Sequence, residues 1–174
     1  MFAPWGQLPA HNIFEHKFSA MANTYTQLHV HCVFAVKYRA AVIQPAWEEL
    51  LHRYITGIVQ NNGHKLLVIN SVPDHLHMFI GLHPKQSISE MMRLVKGDSS
   101  EFVNKKNFTK RKFYWQEGYG AFSNSHSQID RVVKYIINQK IHHQKKTFRE
   151  EYIGMLRDYH VDYDEKYIFH DLLD

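Results

Sequence analysis

Two histidines flank one leucine in the stretch PDHLHMFIG, residues 73–81, which otherwise has the composition of a buried β-strand. Alternate side chains of a strand share a face, so His75 and His77 would project the same way, with Cα atoms roughly 6.5 to 7 Å apart. Both imidazoles could then bind one ion, because histidine is the commonest metal ligand in proteins. The competing interpretation is that they are two partly exposed strand histidines without a chemical role.

The surroundings of this histidine pair favour a site. The opposite face of the strand carries apolar side chains suited to a core, Leu76, Met78 and Ile80, so we expect the histidines to look out from the sheet rather than into packed apolar surface. A Pro-Asp turn comes directly before them and would place them at a sheet end, where a ligand can enter. The same spacing recurs at His29 and His31, which lie deeper in an earlier predicted strand, and we interpret that pair as structural.

Tyr135 and Gln139 are four residues apart in a segment with helical periodicity. Side chains at this spacing are neighbours on one helix face, about 5 to 6 Å apart at Cβ. They fall on the flank of the predicted buried stripe, which consists of Ile129, Val132, Val133 and Ile136. Taken alone, Tyr135 fits an amphipathic core tyrosine with a solvated hydroxyl. Together with a metal site it becomes a candidate nucleophile, since a phenolic oxygen needs a nearby cation to attack a phosphodiester at neutral pH.

Basic residues alternate with aromatic ones in the loop between residues 104 and 115. Its cations are Lys105, Lys106, Lys110, Arg111 and Lys112, and its aromatic side chains are Phe108, Phe113, Tyr114 and Trp115. Cations can hold phosphates while aromatic faces stack on unpaired bases, so we expect this loop, including Trp115, to bind DNA. Further phosphate candidates are Arg93 and Lys96, and a second basic cluster comprises Lys140, His142, His143, Lys145, Lys146 and Arg149. A solvated lysine loop beside a packed tryptophan is the alternative.

Hydrophobic periodicity and capping residues divide the chain into strands and helices. Strands are predicted over residues 64–72, 75–82, 113–115 and 119–122, and over 26–38, where one face carries Leu28, Val30, Cys32, Phe34 and Val36. Helices are predicted over 45–63, which Pro45 opens, and over 88–103, which Ser87 and Glu90 would cap. Ser127 and Asp130 would cap one long helix over 128–146, and a further helix follows over 147–160.

The resulting order is strand, helix, strand, strand, helix, strand, helix. It predicts an α+β fold, a ferredoxin-like sandwich in which an antiparallel sheet carries helices on one face, with a tyrosine-bearing helix added towards the C-terminus. We expect one folded domain over residues 21–160. An N-terminal extension over 1–20 lacks periodicity and is a candidate disordered segment, and an acidic tail covers 161–174.

The composition is that of one soluble domain. A chain of 174 residues can bury a core without disulfides, and no run of about 18 apolar residues exists to cross a bilayer. Cys32 is the single cysteine, and the first residues lack the basic start and apolar stretch of a secretory signal, so we expect a cytoplasmic protein. The net charge is +4, but residues 161–174 carry −4. The remainder therefore carries +8, which suits a polyanionic partner and equally fits a solvated basic surface.

Three stretches of the chain together resemble a known family. They are VINSVPDHLHMFIGLHPKQSISEMMRLVKG from residue 68, WQEGYGAFS from residue 115 and VVKYIINQ from residue 132. They are similar to the single-tyrosine HUH transposases of small bacterial insertion sequences, the insertion-sequence-200 type, and the likeness runs from about Tyr25 to Phe148. That family has two histidines around a hydrophobic residue and a later Tyr-x-x-x-Gln arrangement, which stand here at His75, His77, Tyr135 and Gln139.

The resemblance implies a DNA transposase that acts as a homodimer on imperfect hairpins at transposon ends in single-stranded DNA. Tyr135 would attack a phosphate, become joined to the 5′ side and release a 3′ hydroxyl that later reverses the bond during strand joining. A divalent metal, Mg²⁺ or Mn²⁺, would be held by His75, His77 and the amide oxygen of Gln139, although two imidazoles suit Mn²⁺ or Zn²⁺ at least as well as Mg²⁺. In such proteins the tyrosine helix can dock on the partner subunit, which leaves open which chain Tyr135 serves.

Two other functions remain open on the sequence. A non-catalytic regulator of the same fold that binds single-stranded DNA hairpins would keep the basic loop without needing Tyr135, His75 and His77. A metal hydrolase with histidine ligands would use water as its nucleophile and would need a general base, for which the stretch around the histidines offers only Asp74.

Overall fold

The computed structural model of the chain describes residues 25–164, 166 and 168. The extension predicted over residues 1–20 and much of the predicted acidic tail lie outside the described residues. Among the residues that are described, no helix is long and apolar enough to span a membrane.

Four antiparallel strands form one sheet. The central strands are β1 (His29–Ala35) and β3 (His75–Gly81), and the edges are β2 (Lys65–Val72) and β4 (Gly120–Asn124), in the order β2-β3-β1-β4. Most side chains of the central strands are buried on both faces, because helices cover the sheet on both sides. This strand order, with a long helix after β1 and after β3, confirms the predicted ferredoxin-like α+β fold.

Two long helices pack against one face of the sheet and form the main hydrophobic core. The first, α1 (Pro45–Asn61), begins at a proline, whose missing N–H is no loss in the first turn. The second, α2 (Ile88–Lys105), begins after Ser87, whose hydroxyl accepts a hydrogen bond from the backbone N–H of Glu90. The strand side chains of this core include Cys32, Phe34, Leu76, Met78 and Ile80, as the alternation predicts.

Three further helices cover the opposite face, to which the histidines of β1 and β3 point. The first, α3 (Ile129–Ile137), packs against β2 and β3 and buries Val132 and Ile136 against Phe79. The short α4 (Gln139–His142) contacts β2, and α5 (Phe148–Asp158) packs against side chains of β1 and β4. A site on this face therefore lies between the sheet and a C-terminal helical layer.

The tyrosine-bearing segment is two helices rather than the single long helix predicted over residues 128–146. Asn138 separates α3 from α4 with φ −90° and ψ 13°. The side-chain amide of Asn70 on β2 donates hydrogen bonds to the carbonyl oxygens of Ile136 and Ile137, at 2.7 and 3.1 Å. A continuing helix would use these carbonyls for its own N–H groups, so a contact from the sheet ends α3.

Two local predictions near β4 are wrong. The cap before α3 is Ser125, not Ser127, and it forms a capping box with Gln128 around a turn of 3₁₀ helix. The strand predicted over 113–115 is a loop that contributes one isolated β-bridge, between Trp115 and Val36. The second error concerns a short segment whose pairing partner, Val36, is distant in sequence.

Candidate active site

His75 and His77 lie on the face of β3 that the C-terminal helices cover, and both are fully buried. At the start of α5, the ring of Phe148 stacks on the ring of His75, with centroids 4.0 Å apart. The expectation that the two histidines look out from the sheet is therefore wrong, because the C-terminal helices close over them.

Both imidazoles are fixed through their Nδ1 atoms, which leaves Nε2 directed into the site. Nδ1 of His75 is 2.8 Å from one carboxylate oxygen of Asp74, and the other oxygen accepts two hydrogen bonds from Arg39, at 2.7 and 3.1 Å. Nδ1 of His77 is 3.0 Å from Nε2 of His31. Partners of this kind set the tautomer and the orientation of metal-binding histidines.

The second histidine pair supports the first. The ring of His31 stacks on that of His77, with centroids 5.2 Å apart, in addition to the contact between their nitrogens. The ring of His29 packs instead against Phe79, at 5.9 Å. The structural role predicted for His29 and His31 thus extends, for His31, to orienting a residue of the site.

Burial keeps His75 and His31 neutral. It lowers the pKa of His75 to about 4, against the hydrogen bond to Asp74, and it lowers the pKa of His31 to about 3 with a contribution from His77. Burial alone would raise the pKa of Asp74, but hydrogen bonds from His75 and Arg39 outweigh it and lower this pKa to about 2. At neutral pH the site therefore offers an imidazole lone pair with an ionised carboxylate behind it, as metal binding requires.

Tyr135 reaches the same site from α3 of the same chain. Its hydroxyl donates a hydrogen bond to Oε1 of Glu151, and its ring centroid is 6.1 Å from those of both His31 and His77. Burial and the Glu151 carboxylate raise the pKa of the Tyr135 phenol well above its usual range. The phenol is therefore protonated at neutral pH, and its oxygen needs a cation or a proton acceptor to act as a nucleophile.

Gln139 is fully buried at the start of α4. Its side-chain nitrogen donates to Oε1 of Glu151 at 2.8 Å, the oxygen that Tyr135 also contacts, and its side-chain oxygen has no hydrogen-bond partner. Tyr135 and Gln139 thus meet at one carboxylate oxygen, although Asn138 interrupts the helix between them.

The sequence prediction lacks one residue of this site, Glu151 on α5, and assigns another, His143 after α4, to a basic cluster. Oε2 of Glu151 lies 2.9 Å from Nε2 of His143, 3.6 Å from Nε2 of His77 and 3.7 Å from Nε2 of His75. One ligand atom from each of these four residues lies within 4.8 Å of all the others, so together they could hold a metal ion.

A signal for Glu151 exists in the sequence. The buried stripe of α5 consists of Phe148, Glu151, Tyr152 and Leu156. An acid on an otherwise apolar stripe must have partners, because an unpaired buried carboxylate is very costly. The periodicity of residues 147–160 therefore marks Glu151 as a candidate, without telling which histidines it meets.

The predicted DNA-binding side chains divide into buried and exposed ones. Trp115 is 6% exposed and its indole N–H donates to the hydroxyl of Ser99 at 2.8 Å, so the prediction of a stacking surface is corrected: the ring belongs to the core. The ammonium of Lys96 donates to the carbonyl oxygens of Gln116 and Gly118, at 2.6 Å each, and fastens the loop before β4 to α2. The remaining predicted cations are exposed, namely Arg93, Lys105, Lys106, Lys110, Arg111 and Lys112.

A cleft of about 780 Å³ separates part of the basic loop from the turn that follows β1. Its cations are Lys37, Lys110, Arg111 and Lys112. Its accessible aromatic side chains are Tyr38 and Tyr114, which are 58% and 45% exposed. Cationic and aromatic groups suited to single-stranded DNA thus share one cleft, with two tyrosines rather than Trp115 as the exposed rings.

The turn after β1 connects this cleft to the histidine site. Tyr38 and Arg39 both have positive φ angles, 58° and 52°, which are uncommon for residues with side chains. This conformation places Tyr38 in the cleft and Arg39 against Asp74.

A second depression, of about 690 Å³, opens beside Tyr135. The cations that line it are Arg131, Lys134, Lys145 and Lys146. A groove of this charge can hold the phosphates of a strand next to the phenol.

Comparison with known proteins gives the class to which this fold and site belong, the transposases. More particularly, the chain belongs to the family described as IS200-like transposases, which it matches over residues 24–139. The match includes His75, His77, Tyr135 and Gln139 and ends before His143 and Glu151.

Two relatives agree with this assignment. The chain is 26% identical over 118 residues to the ISDra2 transposase TnpA of Deinococcus radiodurans, which covers 65% of this chain and 84% of the relative. It is 27% identical over 105 residues to the transposase for insertion sequence element IS200 of Salmonella typhimurium, which covers 58% of this chain and 69% of the relative.

Two solved structures share the fold. A candidate transposase from Deinococcus radiodurans R1 superposes with a TM-score of 0.56 and 23% identity, over 68% of this chain and 95% of that one. A REP-associated tyrosine transposase bound to a REP hairpin superposes with a TM-score of 0.55 and 14% identity, over 90% of this chain and 94% of that one.

Proposed function

We propose that the protein cleaves and rejoins single-stranded DNA at transposon-end hairpins through a covalent 5′-phosphotyrosine intermediate on Tyr135. Membership of the transposase family supports strand cleavage and transfer as the general activity. The observation that carries the proposal is the position of the Tyr135 phenol, in one buried site with His75 and His77 of the same chain. A basic groove beside the phenol gives a DNA strand a place to lie.

In the proposed reaction the phenolic oxygen of Tyr135 attacks the phosphorus of the scissile phosphodiester. The phenol gives up its proton to water, a bond forms between its oxygen and phosphorus, the bond from phosphorus to the 3′ oxygen of the preceding nucleotide breaks, and the departing oxygen takes a proton from water. The phosphotyrosine conserves the phosphodiester, so a 3′ hydroxyl can later reverse the step and restore a DNA strand without a nucleotide cofactor.

A divalent metal ion fits the residues of this site. Nε2 of His75 and of His77 and the side-chain oxygen of Gln139 are buried without a hydrogen-bond partner. Buried polar atoms rarely lack partners, and a cation would use their lone pairs. His75 and His77 would hold Mg²⁺ or Mn²⁺, with Gln139 as the third ligand that the family resemblance implies. When bound, the ion would stabilise negative charge on the scissile phosphate.

In this proposal, the two depressions bind different parts of the DNA. The cleft at Lys110, Arg111 and Lys112 would hold the hairpin, and the groove beside Tyr135 would hold the strand to be cut. The hairpin in the structure of the REP-associated relative supports this class of ligand. The family resemblance further implies that a homodimer carries out the reaction in the bacterial cytoplasm.

A denaturing gel tests the proposal. The substrate is a pool of single-stranded DNA hairpins with randomised flanks, labelled at the 3′ end because the tyrosine would stay on the downstream fragment. With Mn²⁺ the wild-type protein should acquire the label covalently, and a chelator should prevent it. Tyr135→Phe should give no adduct while hairpin binding remains, and an undiminished adduct in this variant would refute the nucleophile assignment.

The same gel distinguishes the two other functions. A metal hydrolase would shorten the DNA without labelling the protein, whereas a hairpin-binding regulator would bind and leave the DNA uncut. Asp74 is not a free base for such a hydrolase, because both of its carboxylate oxygens are engaged, one by His75 and one by Arg39.

A further inference from the structure

We infer that the metal ion is held by four side chains of one chain, His75, His77, His143 and Glu151, and that Gln139 is a positioning residue that holds Glu151. This inference rests on the proposed metal-dependent function and changes its ligand set. His143 and Glu151 follow the end of the family match at residue 139, so they lie outside the matched region.

The first argument is the arrangement of the three imidazoles. Nδ1 of His75 faces Asp74, Nδ1 of His77 faces His31, and Nδ1 of His143 lies 3.0 Å from the carbonyl oxygen of Lys146. A carbonyl oxygen only accepts, so Nδ1 of His143 carries a proton. Its Nε2 lies 2.9 Å from the Glu151 carboxylate, which raises the pKa of His143 against the effect of burial, so a metal ion would displace the proton that Nε2 donates to that carboxylate. Each ring thus has an outer partner on Nδ1, as metal-binding histidines have.

The second argument is distance. Two ligands of one ion can be at most about 4.2 Å apart, twice the length of a bond between an imidazole nitrogen and zinc. The distances from Oε2 of Glu151 to the Nε2 atoms of His143, His77 and His75 are 2.9, 3.6 and 3.7 Å, all below that limit. The four ligand atoms as a set lie within 4.8 Å of one another, so the imidazoles would move slightly closer together around an ion. Nε2 of His75 and Nε2 of His77 are also buried and lack a hydrogen-bond partner.

The third argument concerns the two oxygens of Glu151, which have separate tasks. Oε2 faces the three imidazoles, whereas Oε1 accepts hydrogen bonds from the Tyr135 hydroxyl and the Gln139 amide. Gln139 therefore turns its amide N–H towards Glu151 and acts on the ion through that carboxylate. One side chain of α5 would thus connect the ion to the tyrosine.

The ligand set also selects the metal. Mg²⁺ prefers oxygen ligands in octahedral geometry and keeps several waters, whereas three imidazoles with one carboxylate suit Mn²⁺ or Zn²⁺. We therefore expect Mn²⁺ and Zn²⁺ to bind the DNA-free protein and Mg²⁺ to bind it far more weakly.

The test counts imidazole ligands in the DNA-free full chain loaded with Mn²⁺, by electron spin echo modulation from the directly bound nitrogens. The wild type should show three imidazoles and His143→Gln two. Titration calorimetry should show that Glu151→Gln weakens Mn²⁺ binding by more than about 100-fold, beyond the 10- to 100-fold typical of residues that only orient a ligand. The exposed Asp158 lies on the same helix, so Asp158→Asn is the matched control and should leave affinity unchanged.

The opposite result would make Gln139 a metal ligand in place of His143 and Glu151. Two imidazoles in the wild type, no change in His143→Gln and the greatest loss of affinity in Gln139→Leu would overturn the inference. Because the imidazole count is made on the wild type, a variant that fails to fold does not obscure the answer. Metal-dependent adduct formation with only two bound imidazoles would reject the four-residue ligand set and leave the proposed function standing. Three bound imidazoles without an adduct would support the ligand set and reject the proposed function.

Discussion

The buried imidazoles of His31 and His75 make folding depend on pH. Their folded-state pKa values are about 3 and about 4, whereas both would titrate near 6.5 in the unfolded chain. Between these values the unfolded state binds more protons, so stability falls as the pH drops below 6.5. Each histidine should contribute a loss of up to about 1.4 kcal/mol per pH unit. Urea unfolding of the metal-free protein between pH 7 and pH 5 measures this slope.

His31→Asn provides the comparison for that slope. The variant lacks one of the two histidines with a lowered pKa. As the pH drops, its free energy of unfolding should therefore fall less steeply than that of the wild type, and the difference in slope should correspond to about one bound proton. Equal slopes for both proteins would mean that His31 is not held neutral in the folded state.

Single residues differ in how far the sequence reveals them. The pair His75 and His77 follows from strand alternation and from the apolar face opposite. Helical spacing predicts that Tyr135 and Gln139 are neighbours, but in the structure they meet at Glu151 across a helix break at Asn138. The burial of the histidine pair does not follow, because it depends on where α5 docks. Glu151 stands out as an acid on an apolar stripe, yet only the fold brings it to the histidines.

At the scale of elements, the basic loop should supply much of the DNA affinity. Replacement of Lys110, Arg111 and Lys112 by alanine should weaken hairpin binding and flatten its salt dependence, because three cations of the cleft are lost. If each contacts one phosphate of a single strand, the slope of log K against log salt should decrease by about 2. Fluorescence anisotropy at several salt concentrations measures it.

Lys65 and Lys85 provide the control for this experiment. Both are exposed, and Lys65 pairs with Gly81 at the end of β3 opposite to His75. Alanine at both positions should leave the salt slope nearly unchanged. An equal decrease for the loop variant and this control would show that the cleft has no special part in binding.

The docking of α5 depends on a glycine in β4. A Cβ atom at Gly120 would lie 2.8 Å from a ring carbon of Tyr152 on α5 and 2.9 Å from one of Phe122. Gly120→Ala should therefore push α5 away and lower the free energy of unfolding by about 1–3 kcal/mol, as overpacking does. Metal affinity should decrease with it, because Glu151 precedes Tyr152. Urea unfolding and Mn²⁺ titration give the two readouts.

Gly57→Ala is the matched control, with the opposite expected sign. Gly57 lies within α1, and a Cβ atom there would meet nothing within 4 Å. Alanine should stabilise the helix by up to about 1 kcal/mol. A loss of stability at both positions would remove the steric explanation for Gly120.

Helices and strands could be predicted where the residues of a segment determine its conformation by themselves. The strands at 64–72 and 75–82, the helix start at Pro45 and the cap at Ser87 follow from local patterns, and the structure confirms them. The break at Asn138 does not, because the contact that ends α3 comes from Asn70, distant in sequence. Short segments such as 113–115 likewise depend on their neighbours more than on their own residues.

At the scale of the whole molecule, the residues of the candidate site lie together within one described chain. The site draws on β1, β3, the α3–α4 segment and α5, so the described chain needs its C-terminal helices to close the site. The family resemblance alone leaves open whether the tyrosine serves its own subunit or the partner. Here the hydrogen bond from Tyr135 to Glu151, beside the imidazoles, connects groups of one chain.

Complementation between two inactive variants tests this central claim most directly. Tyr135→Phe and His75→Ala are co-expressed, so that dimers containing one chain of each can form, and covalent labelling is measured with 3′-labelled hairpin DNA and Mn²⁺. Wild type co-expressed with the double variant is the positive control. A site built within one chain predicts no more adduct from the mixture than from either variant alone. Adduct restored towards the level of the positive control would contradict it, because Tyr135 of one chain would then be serving the histidines of the other.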